Sequence, residues 1–170
     1  MSLFETLQHR RARVLFLSHR NACRTQMAEA FTRALGDDAI LAFSAGIAPH
    51  ARISDAVRAA MLERALPLPP DQHPRSVSTL DLSAFDAIVD FSGRAPKTGG
   101  SVLIEPLIPS PLDNDLESHR AVRDRIETFV RFLVEHFRRA KEWSPHINPD
   151  APRTIDPSIQ NGPEVRAGIL

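Results

Sequence analysis

Tyrosine is absent from this chain, and cysteine, lysine and tryptophan nearly so. With Cys23 as its one cysteine, no disulfide can close within the chain, and any chemistry that passes electrons between two protein thiols is excluded. Lys97 and Lys141 are the only lysines among 21 basic residues. Positive charge therefore sits almost entirely on guanidinium groups, planar forks suited to carboxylate and phosphate. Acidic residues also number 21, so no global field recommends nucleic acid or an anionic membrane as a partner. No apolar run approaches the roughly 18 residues of a membrane span. The opening "MSLFETLQHRRAR" has no apolar stretch of secretory type. His50, His73, His119, His136 and His146 are scattered without ligand spacing, so neither a metal nor another cofactor is expected. A cytoplasmic protein is the default expectation.

A length of 170 residues fits one domain with a core covered on two sides. The run "RVLFLS" is continuously apolar and ends in polar residues, the pattern of a strand buried on both faces. Met27, Ala28, Phe31 and Leu35 then recur at helical spacing up to Gly36. "AILAFSAG" reads as a second strand. Ser54 is suited to cap a helix over "DAVRAAMLERAL", stopped by Pro67, and "PLPPDQHPR" is a proline-rich connection. "FDAIVDFSG" and "SVLIEP" read as two more buried strands. Val122, Ile126, Phe129, Val130, Leu133 and Phe137 form the apolar stripe of a long helix reaching about Trp143. Alternation of strand and helix implies a parallel sheet with helices on both faces, and ligands at the edge formed by the strands' C-terminal ends. That edge would gather residues 18–25, 44–46, 92–100 and 106–115. Asp90 faces either this edge or a helix, and periodicity does not decide between them.

Residues 144–170 carry five of the 14 prolines and no regular period. The expected division is a domain over 1–143 and a proline-rich tail over 144–170. Ile147, Ile155 and Ile159 would dock that tail on the domain or on a neighbouring chain, making it the candidate route to self-association.

The segment with chemistry is "SHRNACRT", Ser18 to Thr25, between the first strand and the first helix. The leading N–H groups of a helix lack intrahelical partners, and the helix dipole favours negative charge there. Successive N–H groups curled around one point form a nest for a tetrahedral oxyanion. Asn21 suits the left-handed turn such a loop needs, and Arg24 would fork onto two oxygens of the ion. The alternative is an ordinary strand-to-helix turn whose arginine pairs with a carboxylate.

"VLFLSHRNACRTQMAEAF" followed by "FSAGI" resembles the low-molecular-weight protein tyrosine phosphatases and the related thioredoxin-coupled arsenate reductases. Their pattern is a Cys-x5-Arg-Ser/Thr loop, usually followed by Pro-Met-Ala-Glu, with Ser-Ala-Gly after the second strand. Asn21, Cys23, Arg24, Thr25, Met27, Ala28 and Glu29 match it, as do Ser44, Ala45 and Gly46. The resemblance spans about 13–139. It implies a single α/β domain whose four-stranded parallel sheet has the order 2-1-3-4.

Two departures bear on chemistry. The resemblance implies a thiolate nucleophile at the first loop position, where Ser18 stands, with Arg24 six residues on. A hydroxyl stays protonated at neutral pH and needs a general base, and the neighbouring side chain of His19 is expected to diverge from it. Cys23 cannot replace the nucleophile, because Glu29 lies six residues beyond it and it falls at the helix start. The resemblance also implies an aspartate general acid in an Asp-Pro step, where "IPSPLD" places Ser110. Asp113 and Asp115 are nearby substitutes, expected to face water. The aromatic residues that often line the phosphatase cleft are missing from this loop. Arsenate reduction is excluded by the single cysteine.

The leading expectation is a phosphatase-like pseudoenzyme. It would bind phosphate, sulfate or a phosphorylated ligand through Ser18, His19, Arg20, Asn21, Ala22, Cys23, Arg24 and Thr25 without turnover. Two alternatives stand beside it. One is an active phosphatase in which Ser18 is an introduced substitution; the other is an interaction scaffold with a vestigial loop.

Overall fold

The computed structural model describes residues 10–97, 100–112, 115–143 and 165–168. The chain order is β1 (Ala12–Ser18), α1 (Arg24–Gly36), β2 (Ile40–Gly46), α2 (Asp55–Leu62), β3 (Ala87–Asp90), β4 (Val102–Pro106), α3 (Leu116–Trp143) and β5 (Val165–Gly168). Two 3-10 turns, Val77–Thr79 and Leu82–Ala84, precede β3. The first four strands are parallel in the order β2-β1-β3-β4, as the resemblance implies, with β1 paired to both β2 and β3. Their C-terminal ends meet at one edge, where Ser18 stands opposite Gly46 and Leu17 opposite Asp90.

A fifth strand extends the sheet. β5 lies antiparallel to β4, with Val165 opposite Pro106 and Gly168 opposite Leu103. It falls within the expected tail, where "VRAG" offers no strand period to a reader of sequence. The proposed docking residues Ile147, Ile155 and Ile159 lie outside the described residues.

Strand side chains alternate between two cores. Val14, Phe16, Ala42, Val89 and Ile104 face a large cluster shared by all three α-helices, through Met27 and Phe31, Val57 and Met61, and Ile126 and Val130. Each large apolar side chain buried there contributes about 1.5–3 kcal/mol relative to exposure. Leu15, Leu17, Ile88 and Leu103 face a smaller cluster with Phe85, flanked by Val77, Leu80 and Leu82. Helical cover on the two faces is thus uneven, α-helices on one and tight turns on the other.

Ser54 caps α2, its Oγ accepting from the Val57 N–H at 3.3 Å. The helix stops short of Pro67. Ala65 adopts a left-handed backbone (φ 55°), and the N–H groups of Ala65 and Leu66 donate back to the carbonyls of Leu62 and Met61. This is a C-terminal turn of the kind glycine usually closes. Arg58 then donates to the carbonyls of Leu68, Pro69 and Gln72, fixing the proline-rich connection.

Candidate functional site

The loop after β1 is shaped by Asn21. Its φ of 49° turns the chain in the left-handed region, which asparagine tolerates better than most residues. The side chain is fully buried, and both its nitrogen and its oxygen are bonded. Its Nδ2 donates to Thr25 Oγ1 at 2.9 Å, while Oδ1 accepts from the Arg75 N–H at 2.8 Å and from Gln26 Nε2 at 3.1 Å. Gln26 also donates to the Asn21 carbonyl and accepts from Gln72 Nε2. The proline-rich connection therefore runs beneath the loop and braces it. Gln26, Gln72 and Arg75 are supporting residues absent from the sequence reading; the only signal was Gln26 itself, a polar residue where the phosphatase pattern has proline.

A second brace comes from β2. Ile47, Ala48 and His50 donate backbone N–H groups to the carbonyls of Ser18, His19 and Arg20. The approach is close: a Cβ on Gly46 would lie 3.0 Å from the Arg20 carbonyl carbon and from Asn21 N and Cβ. Below it, the buried Glu29 accepts from the Ser44 hydroxyl and pairs with Arg33 and Arg75. The matched Glu and Ser of the two sequence motifs are thus partners.

Ser18 is 5% exposed, and its Oγ accepts from the Asn21 N–H at 3.0 Å. Its other neighbour is the Thr25 hydroxyl at 3.5 Å. Neither group is a base. His19 is exposed and makes no bond to Ser18. Among the described residues, the backbone N–H groups of Ala22, Cys23, Arg24, Thr25 and Gln26 have no acceptor; the first intrahelical bond is Met27 N–H to the Cys23 carbonyl, and α1 has no side-chain cap.

Arg24 opens α1. Its Nη1 donates to the carbonyls of Phe91 at 2.9 Å and Ile108 at 2.8 Å, and its guanidinium carbon lies 5.6 Å from the Phe91 ring centroid. One arm of the fork is thus tied to the ends of the sheet, an anchoring that no local pattern around Arg24 announces. Nε and Nη2 have no acceptor among the described residues. Burial draws this guanidinium down from its ordinary value, against the opposing influence of Cys23 and Asp90. The thiol of Cys23, half-buried against the large core, is pushed up to about 12 by burial, with Arg24 only partly opposing it. At neutral pH it is no nucleophile.

Asp90 faces the edge rather than a helix, and there it turns onto its own following loop. Its carboxylate accepts from the Ser92 N–H and hydroxyl and from the N–H groups of Arg94 and Ala95, at 2.6–2.9 Å, folding its own following loop around itself. Ser110 is exposed on the segment after β4. Asp115 caps α3, its Oδ2 accepting from the Ser118 N–H; Asp113 lies outside the described residues. Among the described residues, no three His, Cys, Asp or Glu side chains gather as a metal would require. No helix among them is long and apolar enough to cross a membrane.

A parallel sheet with β1 inside it, a curled polar loop and an arginine at the first helical position define the class: an α/β protein built around a strand–loop–helix of phosphatase type. The sequence matches the family described as low molecular weight phosphotyrosine protein phosphatase over residues 13–102, and the chain belongs to that family. Among solved structures it is similar to an arsenate reductase from Archaeoglobus fulgidus DSM 4304. The identity is 30% with a TM-score of 0.64, covering 72% of this chain and 98% of that one. It is similar at 25% identity to an arsenate reductase in the phosphate binding state, with a TM-score of 0.66 and coverages of 73% and 97%. The YwlE arginine phosphatase from Geobacillus stearothermophilus, at 18% identity, shares the fold, with a TM-score of 0.68 and coverages of 81% and 99%. No protein of curated function matches the sequence at a significant level.

Proposed function

We propose that this chain binds a tetrahedral oxyanion, phosphate or a phosphorylated group, in the loop Ser18–Thr25 and does not turn it over. One observation carries the reading: five consecutive backbone donors, Ala22 to Gln26, lack acceptors beside a Ser18 hydroxyl whose neighbours include no base. Donors in a row at a helix start suit an anion. The free Nε and Nη2 of Arg24 add charged donors from a guanidinium already held in place. A similar arsenate reductase is known in a phosphate binding state, which supports the choice of ion.

Catalysis is a separate matter. Efficient attack by a serine hydroxyl on phosphorus needs a general base, and neither neighbour of Ser18 Oγ, the Asn21 N–H or the Thr25 hydroxyl, is one. Ser110 cannot protonate a leaving group. The thiol relay of arsenate reduction has no second cysteine, and Cys23 is held protonated. Serine in place of a thiolate favours the bound state. Two unit charges about 4 Å apart repel by roughly 4 kcal/mol at an effective dielectric near 20, before solvent reduces it.

Calorimetric titration with inorganic phosphate tests the binding, and a chromogenic phosphate ester tests the silence. The expected result is saturable binding, lost on Arg24→Ala, with no turnover. No heat of binding at millimolar phosphate would remove the anion reading. Turnover by the unaltered chain would remove the pseudoenzyme.

A further inference from the structure

Positive charge in this neutral molecule is distributed unevenly. Many arginines elsewhere are paired with carboxylates, among them Arg10 with Asp86 at 2.7 Å, Arg120 with Glu63 at 2.6 Å and Arg138 with Asp38 at 2.6 Å, while Arg24 and Arg58 are held by backbone carbonyls. Arg20, Arg52, Arg94 and Lys97 are exposed, make no ion pair and donate no side-chain hydrogen bond among the described residues. All four lie on the loops that leave the C-terminal ends of β1, β2 and β3. The acid nearest to them in the sheet, Asp90, is 1% exposed and spends its oxygens on backbone N–H groups and the Ser92 hydroxyl, forming no ion pair with any of the four among the described residues. His50 is held against this group, its N–H donating to the Arg20 carbonyl at 2.9 Å.

Resting on the anion reading of the β1 loop, we propose that its ligand is a phosphorylated polypeptide segment with carboxylates on both sides of the phosphorylated residue. In the order β2-β1-β3 the loop is central, with Arg20 beside it, Arg52 on one side and Arg94 and Lys97 on the other. Neighbouring strands lie about 4.8 Å apart, so the outer loops start about 10 Å apart, and extended residues one to three positions from the phosphate fall within that reach at about 3.3 Å each. Leu107 and Leu112, 53% and 70% exposed on the segment after β4, offer apolar contact to a peptide side chain. Nucleic acid is disfavoured, because no Phe, Tyr or Trp among the described residues stands exposed at this edge as a stacking platform for bases.

The test is fluorescence anisotropy with labelled phosphotyrosine peptides flanked by glutamates or by glutamines, an unphosphorylated acidic peptide, and a short single-stranded oligonucleotide, with inorganic phosphate titrated in parallel. An exposed ion pair is good for about a two- to fivefold gain in affinity. With two or more formed, the acidic phosphopeptide should bind about tenfold tighter than the neutral one at 50 mM salt. The preference should shrink below about threefold at 500 mM. The double variant Arg52→Ala/Arg94→Ala should lower affinity for the acidic peptide more than for the neutral one. Equal affinity for both phosphopeptides, with phosphate still bound, overturns this inference and leaves the loop reading standing. Failure of every phosphate-bearing probe overturns the loop reading itself. Tighter binding of the oligonucleotide than of the acidic phosphopeptide overturns the choice of polypeptide.

Discussion

Replacing Ser18 by cysteine asks whether the loop still stabilises negative charge at the position of its own first side chain. The geometry gives a magnitude. Ser18 Oγ receives one full hydrogen bond, from the Asn21 N–H at 3.0 Å, and has the Thr25 hydroxyl at 3.5 Å. A hydrogen bond to a charged group contributes about 1.5–3 kcal/mol, so one full bond and one long one give about 2–4 kcal/mol. At 1.36 kcal/mol per unit this lowers a thiol from its usual 8.5 to about 5.5–7. The depressed value means that thiolate predominates above it and is lost only as the pH falls through it. In Ser18→Cys, the rate of alkylation by iodoacetamide followed by mass spectrometry should rise with a midpoint in that range. Cys23 does not confuse the signal, because its thiol lies at about 12. A midpoint at or above about 8.5 would refute the picture of a donor-lined loop. If the midpoint is low, adding Ser110→Asp should raise turnover of a phosphate ester above that of the single variant.

Other outcomes follow from the frame. Gly46→Ala sets a Cβ 3.0 Å from the backbone of Arg20 and Asn21; it should cost about 1–3 kcal/mol in urea unfolding and weaken phosphate binding, and a neutral result would mean the loop is not pressed against β2. Ala65→Gly relieves a left-handed alanine at the end of α2 and should raise stability by about 0.5–1 kcal/mol, about 1–4 °C in melting temperature; a lower melting temperature would contradict it. Glu63 is held down to about 2, chiefly by hydrogen bonds from Arg120 and then Arg123. Its folded value lies below the ordinary 4.5, so its contribution is complete above that pH and disappears as the pH falls toward 2. Glu63→Gln should accordingly flatten the acid limb between those values in urea midpoints taken at each pH; an unchanged slope sinks this assignment.

How far the sequence could be read depended on whether a feature is local. β1 was legible because a run with no polar residue has to be buried on both sides, and Ser54 because a cap acts within three residues. The loop was legible through the spacing of Ser18 and Arg24 together with the matching Glu29 and Ser44. Its supports were not. Gln26 meets Gln72 across 46 positions and Arg24 meets the Ile108 carbonyl across 84, and nothing in either neighbourhood announces the other. The end of α2 was misjudged because Pro67 drew the boundary, while an alanine in a conformation usually left to glycine ends the helix four residues earlier. β5 escaped because a short edge strand needs only one partner and no apolar period. Asp90 was ambiguous for a related reason: alternation is silent about whether a strand-end carboxylate turns to the ligand edge or to a helix, and only the contacts of the loop after β3 place it at the edge.

That inward turn of Asp90 has a consequence for counting. The loop after β3 is itself a small ring of amide donors, but it carries its counter-ion covalently, so added ions cannot displace it however concentrated they are. The sheet edge thus has two loops lined with amide donors, and of these the one after β1 keeps its donors without an acceptor among the described residues, as the proposed phosphate site requires. Titration curves for phosphate should therefore end at a single equivalent per chain.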